Sequence, residues 1–405
     1  MKKYVVIILL SLLIFSSCGA EEKAFAPGYE TARECNMYSN LNLNGMLYME
    51  SCDEANGESS RLRFIDFDTM QSAVICSKPN CKHNDSGVCS AFGMNVSECF
   101  TNIFGDKLYF FETVPEWSYD DSGTAPVLTW NLNLWSADLD GTQRKKIDTF
   151  EALEILDLVV KGNTVYFTAR EQKKIDSGGV TELLGLPKAY LCAYDFENGV
   201  FQNLGKLCEG FEAYAAINGE YNGRLYISGS YREKEREFYN PDGSEKSLEE
   251  LAKDNNFTTV RYRFDFEAGA LSDWDMPIST LDENDRIKPM FISGGFYGYM
   301  DGNNAHIIDS EGNEMILKDY ELSTSSADIP VNGYYFNVTG DKGGTSSYTA
   351  VELSSGKIFK INKKAVPKWH FVLTYHDGNY IVYDGIGSGD FKKVSPDELI
   401  GEEIT

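Results

Sequence analysis

The feature that most constrains this chain is a short signal that returns along its length: a turn residue, then an apolar and aromatic run. It first appears as Asn44-Gly45-Met46-Leu47-Tyr48-Met49 and then as Gly105-Asp106-Lys107-Leu108-Tyr109-Phe110. Gly162-Asn163-Thr164-Val165-Tyr166-Phe167 and Asn222-Gly223-Arg224-Leu225-Tyr226-Ile227 follow. Weaker copies are Gly295-Phe296-Tyr297-Gly298-Tyr299, Asn332-Gly333-Tyr334-Tyr335-Phe336 and Asp377-Gly378-Asn379-Tyr380-Ile381-Val382. The tyrosines Tyr48, Tyr109, Tyr166, Tyr226, Tyr297, Tyr335 and Tyr380 recur at intervals of 38 to 71 residues. A second signal follows most copies: a strand, an acidic turn and a further strand. Trp135-Ser136-Ala137-Asp138-Leu139-Asp140-Gly141 and Tyr194-Asp195-Phe196-Glu197-Asn198-Gly199 are examples. Gly and Asn supply the positive φ that tight hairpins demand.

Each unit therefore reads as four short antiparallel strands, and repeats of this length indicate a β-propeller. One blade cannot bury both of its faces, whereas a closed ring buries them against neighbouring blades and protects most strand edges. The expected fold class is all-β, a propeller of seven blades, with six blades and a remnant as the alternative. The expected units are 34–98, 99–150, 151–208, 209–276, 277–320, 321–365 and 366–405, all within one domain, 34–405. The last unit is short, so an N-terminal strand is expected to complete it. The periodic tyrosines read as core packing. Three excursions distinguish the units: 114–125, 171–181 and 231–256, the last with a short helix expected at 247–253. Long loops on a rigid frame are common sites of function.

The chain has 24 Tyr, 24 Phe and 5 Trp, enough large side chains to fill such a core. Its net charge of −25 argues against nucleic acid or anionic lipid as the main partner, because both need clustered Lys and Arg.

Residues 1–17 read as an export signal. Lys2 and Lys3 precede an apolar run over 4–15, which is too short to span a bilayer. The run ends in Phe15-Ser16-Ser17-Cys18-Gly19, which resembles a bacterial lipobox. That resemblance implies lipidation of Cys18, anchorage in the cell membrane and an extracytoplasmic address. Residues 18–33 would form a tether. An ordinary secretory signal cleaved near Ala20 is the alternative.

Export permits disulfides. Beyond Cys18 there are eight cysteines: Cys35, Cys52, Cys76, Cys81, Cys89, Cys99, Cys192 and Cys208. Cys76, Cys81, His83 and Cys89 form a C-x4-C-x-H-x5-C cluster. The exported address favours disulfides among Cys76, Cys81, Cys89 and Cys99, and between Cys35 and Cys52 across the first hairpin. Three thiolates and an imidazole also make a tetrahedral zinc set, the second reading. Free or redox-active thiols come third. Cys192 and Cys208 lie at unequal offsets from their turn, so buried thiols are expected there.

With these features in place, the chain resembles the uncharacterised lipoprotein β-propellers of Gram-positive bacteria. Those are distantly similar to the YWTD-type propeller of low-density-lipoprotein receptors. The Cys76-Ser77-Lys78-Pro79-Asn80-Cys81-Lys82-His83 segment with the later Cys89 carries the more specific part of the likeness. The literal Tyr-Trp-Thr-Asp repeat is absent. The resemblance implies fold and surface location, and no activity.

Catalysis has little support. The four histidines, His83, His306, His370 and His376, sit in no G-x-S-x-G or H-E-x-x-H context. His370 and His376 read as packing and turn residues. Asp138-Leu139-Asp140-Gly141 lacks the later ligands of a calcium loop and reads as a hairpin turn. The Gly-rich run 384–390 lacks the helix a phosphate loop needs.

The leading expectation is a non-enzymatic binding or interaction module with no required cofactor, zinc being the one candidate metal. Its ligand would be a small molecule, a glycan or a protein. Trp117, Tyr119 and Tyr231, placed in expected loops, are the first candidates for stacking on a ligand. The alternatives are an extracytoplasmic hydrolase or lyase acting on glycan or peptide, and a metal- or redox-dependent sensor built on the Cys/His loop.

Overall fold

The computed structural model describes residues 41–404, outside 43, 55–56, 84–88, 92–100, 120–125, 172, 177–180, 184, 239, 242–243, 248–256, 275–286, 323–329, 341–345, 365–370 and 384–390. The described residues run through seven consecutive antiparallel meanders, the fourth and fifth joined into one sheet through their first strands. The first is β1 (Leu41–Asn42), β2 (Gly45–Glu54), β3 (Gly57–Asp66) and β4 (Gln71–Val74). The second is β5 (Thr101–Phe104), β6 (Lys107–Tyr119), β7 (Pro126–Asp138) and β8 (Lys145–Phe150). The third is β9 (Leu153–Lys161), β10 (Thr164–Glu171), β13 (Lys188–Asp195) and β14 (Val200–Glu209), interrupted by the hairpin β11 (Lys173–Asp176) and β12 (Thr181–Leu183). The fourth is β15 (Phe211–Tyr221), β16 (Arg224–Arg232), β17 (Phe257–Asp265) and β18 (Ala270–Asp273). The fifth is β19 (Ile287–Ser293), β20 (Phe296–Asp301), β21 (Asn304–Ile308) and β22 (Glu314–Leu317). The sixth is β23 (Pro330–Val331), β24 (Tyr334–Gly340), β25 (Ser346–Glu352) and β26 (Ile358–Ile361). The seventh is β27 (Phe371–His376), β28 (Asn379–Tyr383) and β29 (Phe391–Val394), followed by α1 (Pro396–Leu399) and β30 (Ile400–Ile404).

The recurring signal is the hairpin between the first and second strands of each meander. Asn222-Gly223, Gly294-Gly295, Asn332-Gly333 and Asp377-Gly378 all have positive φ at both positions, as a two-residue type I′ turn requires. The acidic residue of the second signal caps its own turn. Asp195 accepts the backbone N–H of Glu197 and Asn198, and Asp265 accepts those of Glu267 and Ala268.

The second strands are nearly continuous apolar runs because both of their faces are buried. In β2, Leu47 belongs to the core shared with the second meander and Tyr48 to the core shared with the seventh. Every meander shares such an apolar cluster with the next. Phe111, Phe167 and Tyr194 join the second to the third, and Leu191, Ala215 and Phe264 the third to the fourth. Tyr226, Ile292 and Tyr297 join the fourth to the fifth. Phe291, Tyr335 and Val351 join the fifth to the sixth, and Phe336, Tyr380 and Val394 the sixth to the seventh. The last cluster, Tyr48, Ile65, Phe67, Leu373 and Ile381, brings the seventh meander back to the first. Across that seam His376 Nε2 lies 2.6 Å from Asp68 Oδ1. Blades packed face to face in a closed cycle make the fold a β-propeller. The tyrosines are core residues: Tyr226, Tyr297, Tyr335 and Tyr380 are at most 2% exposed.

The structure redraws three expected boundaries. The 114–125 excursion is no loop up to Tyr119, because β6 and β7 continue as one long paired hairpin. The hairpin β11–β12, expected as an excursion of the third unit, pairs instead with the far end of β7 in the second sheet. β30 leaves the seventh unit and adds to β26 at the edge of the sixth. The crossing is set by α1, where Ser395 and Glu398 form a capping box, Pro396 opens the helix and Leu399 is buried. The seventh sheet has three strands among the described residues. The N-terminal strand expected to complete it, the expected helix at 247–253 beyond Ser247, His370 and the run 384–390 lie outside those residues. Among the described residues no helix is long and apolar enough to cross a membrane.

Candidate metal centre

The connection leaving β4 carries the Cys/His cluster, and the fold draws it together. Cys76, Cys81, His83 and Cys89 each offer one ligand atom, and these four atoms lie within 4.8 Å of one another. Cys76 and Cys89 are buried, while Cys81 and His83 are half-buried. His83 Nδ1 stands 3.3 Å from Cys89 Sγ.

Local sequence explains the convergence. Lys78-Pro79-Asn80-Cys81 closes a turn in which the Cys81 N–H donates to the Lys78 carbonyl at 3.2 Å. Pro79 fixes φ at the second position and Asn80 takes φ +59° at the third, the pattern of a type II turn. That turn folds Cys81 back towards Cys76. His83, with φ +54°, redirects the chain.

Both ends of the loop are sewn to β3. The Ile75 N–H donates to the Leu62 carbonyl, and the Leu62 N–H donates to the Ala91 carbonyl, each at 3.0 Å. Arg61, held by Glu50 at 2.5 Å, donates to the His83 carbonyl at 2.6 Å. The other side of the loop is sewn to the turn between β7 and β8. Ser90 Oγ donates to the Asp140 carbonyl at 2.8 Å, the Ser77 hydroxyl donates to the Asp140 carboxylate, and Arg144 donates to the Ser90 carbonyl. Gly141 has no room for a side chain: a Cβ there would sit 2.9 Å from the Ser90 carbonyl and 3.0 Å from that of Ile75. The loop therefore bridges the first and second blades.

Burial pushes the Cys76 thiol up, but hydrogen bonds from the Ser90 hydroxyl and the Lys78 and Ser90 backbone outweigh it, and the pKa falls to about 7. Burial and the neighbouring Cys76 push Cys89 up to about 12. For Asp140, burial is outweighed by hydrogen bonds from Ser77 and Thr142, and its carboxyl stays below the usual range.

This donor set fits zinc. Three thiolates and one imidazole suit a tetrahedral ion, and Zn–S bonds of about 2.3 Å put sulfurs about 3.8 Å apart, a small contraction from the spacing here. The ion with three thiolates would carry one net negative charge, and Arg144 is close enough to Cys89 to feel it. Metal uptake must expel thiol protons. With Cys76 near 7, proton release per zinc is expected to rise by about 0.7 from Cys76 alone between pH 7.5 and pH 6. Calorimetric zinc titration in buffers of different ionisation enthalpy measures this directly.

Among the described residues Cys76, Cys81 and Cys89 stand as free thiols, and Cys99, the fourth cysteine weighed for disulfides in this loop, lies outside them. Cys192 and Cys208 are free and buried as expected. They belong to different clusters, on opposite faces of the third blade, which separates their sulfurs. Cys18, Cys35 and Cys99 lie outside the described residues, and Cys52 sits on β2. The aromatic candidates stand apart from the centre. Trp117 and Tyr119 lie on the strand β6 rather than in a loop, 57% and 71% exposed. Tyr231 is also on a strand, β16, half-buried against the core between the third and fourth blades, so it is a packing residue. His306 stacks on Tyr299 and pairs with Glu314 at 2.9 Å. Ser77, Ser90, Asp140 and Arg61 escaped sequence reasoning; the Asp140-Gly141 turn was visible, but not what packs against it.

No family model matches the chain, and no curated protein matches it. Among solved structures it is similar to an oligogalacturonate lyase from Vibrio parahaemolyticus, at 10% identity and TM-score 0.42, over 86% of this chain and 87% of that one. It is similar to TolB from Acinetobacter baumannii at 12% identity and TM-score 0.28, over 76% and 77%. A Synechocystis apocarotenoid oxygenase matches at 11% identity and TM-score 0.29, over 62% of this chain, which spans 58% of that enzyme. At such scores the propeller assignment rests on the sheet order and the cycle of inter-blade cores.

Proposed function

We propose that this chain is a lipid-anchored, extracytoplasmic, seven-bladed scaffold that displays binding loops without catalysing a reaction, and that zinc bound by Cys76, Cys81, His83 and Cys89 staples its first two blades. One observation carries the zinc assignment: four soft donors from a single short loop converge within 4.8 Å. Four protein ligands fill a tetrahedral ion, the pattern of structural zinc; catalytic zinc keeps a position for water or substrate. The metal's role here is mechanical. It replaces the missing core of a long connector with four coordinate bonds and holds that connector against β3 and the β7–β8 turn. Seven inter-blade clusters support the blade count.

The anchor rests on the lipobox-like Phe15-Ser16-Ser17-Cys18. A single Cys18→Ala exchange is expected to move the protein from the membrane fraction to the soluble fraction, with loss of the acyl mass from its N-terminus. Retention in the membrane after that exchange would contradict the anchor.

A further inference from the structure

The far end of the second blade's long hairpin joins a cleft that the zinc centre does not touch. The cleft has a volume of about 670 Å³ and is lined by Arg170, Lys174, Glu212, Tyr214, Glu235 and Phe257 among others. Its polar groups are held in place from behind. Arg170 donates from Nε and Nη2 to one oxygen of Glu154, at 3.0 and 2.6 Å. Glu212 lies 3.4 Å from Arg232 and 3.3 Å from Arg236. Arg232, a residue only 2% exposed, holds its guanidinium 4.2 Å from the Phe257 ring centroid. Tyr214 is 44% exposed and Phe257 37%.

Register extends this lining onto an aromatic surface. Leu183 is opposite Lys174, Lys174 opposite Leu128, and Leu128 opposite Trp117. Directly opposed residues share a face, so these four form one row across β12, β11, β7 and β6. Lys174 and Leu183 both line the cleft. The same face therefore continues from the cleft to Trp117, about 10 Å away across two strand spacings, and to Tyr119 two residues further along β6. Val127, on the opposite face, is buried.

We propose that this cleft and aromatic face bind an uncharged oligosaccharide, a ligand class that deepens the binding-module reading and rests on it. Sugar rings present an apolar face that stacks on Trp and Tyr, and hydroxyls that both donate and accept. The cleft offers both kinds of partner: Arg170 and Lys174 donate, and Glu212 and Glu235 accept. Those four charges sum to zero, Glu154, Arg232 and Arg236 behind them add one positive charge, and a chain of net charge −25 repels a polyanion at long range. An apolar peptide would offer those charges only its backbone N–H and C=O groups, fewer partners than the hydroxyls of a sugar.

The test is calorimetry of the full soluble chain with cellohexaose, chitohexaose, laminarihexaose and, as the acidic arm, a hyaluronan hexasaccharide. A neutral probe is expected to bind at about 1 mM or tighter. The Trp117→Ala/Tyr119→Ala variant, altered only at exposed positions, is expected to lose at least about tenfold in affinity with an unchanged circular dichroism spectrum and zinc content. Silence with every neutral probe, preference for the acidic one, or binding indifferent to the variant each overturns the proposal. Zinc content of the same preparation, and membrane fractionation of the chain carrying Cys18, report the scaffold separately. Conversion of a probe to shorter products would keep the site and overturn the non-enzymatic reading.

Discussion

Replacing Cys89 with Ser is expected to abolish the zinc dependence of stability. The wild-type chain, with zinc at a thousand times its dissociation constant, gains about 4 kcal/mol over the metal-free form, several degrees in its thermal midpoint. Cys89 is 3% exposed and lies beside His83, so a harder, shorter oxygen ligand there leaves the ion three-coordinate in a buried position. Calorimetric melts with zinc and with a chelator should differ for the wild type and coincide for Cys89→Ser. A control separates metal loss from core damage. Cys192 is fully buried between the second and third blades, and burial raises its thiol to about 12. Cys192→Ser should lower the midpoint while preserving the zinc response. If Cys89→Ser kept that response, the four-residue centre would be wrong.

The second large effect concerns the ring. Gly219 on β15 faces Ile292 on β19 in a parallel contact between the fourth and fifth blades. Its φ is +140°, and a Cβ there would lie 1.7 Å from the Ile292 carbonyl oxygen. Alanine would force two blades apart as well as strain the backbone. Gly219→Ala is expected to cost about 3–5 kcal/mol, adding the overpacking and conformational penalties. Gly223, in the turn at the end of the same strand, has φ +73° but nothing within 4 Å of a Cβ. Gly223→Ala should therefore cost only about 1 kcal/mol. Urea unfolding of both variants measures the contrast, and equal costs would mean that these blades do not meet at β15 and β19.

The sequence carried the architecture because propeller packing writes itself into local patterns. A strand buried on both faces must be apolar at successive positions, as Leu47 and Tyr48 are, and the type I′ turn before it must hold Gly, Asn or Asp. The Cys/His quartet was legible for a similar reason: all four donors come from one short loop, and Pro79-Asn80 marks the turn that folds it. The exported address weights that loop towards disulfides, and the convergence of its four donor atoms weights it towards a metal.

What stayed hidden depends on partners distant in sequence. Nothing in 173–183 announces pairing with β7, since an edge strand's partner is fixed by the shape around it. The same holds for β30, which leaves its own blade for the edge of β26. Ser90 and Asp140 look like ordinary loop residues until the β7–β8 turn meets the metal loop. Tyr231 reads as a loop aromatic because the charged segment after it masks the end of β16.

The zinc staple is tested most directly by an intact native mass spectrum of the soluble chain from about residue 30, purified without reductant or chelator, with a thiol count after denaturation. The expected result is one zinc ion per chain, lost to a strong chelator, with Cys76, Cys81 and Cys89 reactive as free thiols once it is gone. A chain without metal mass, in which those three cysteines are oxidised, would contradict it.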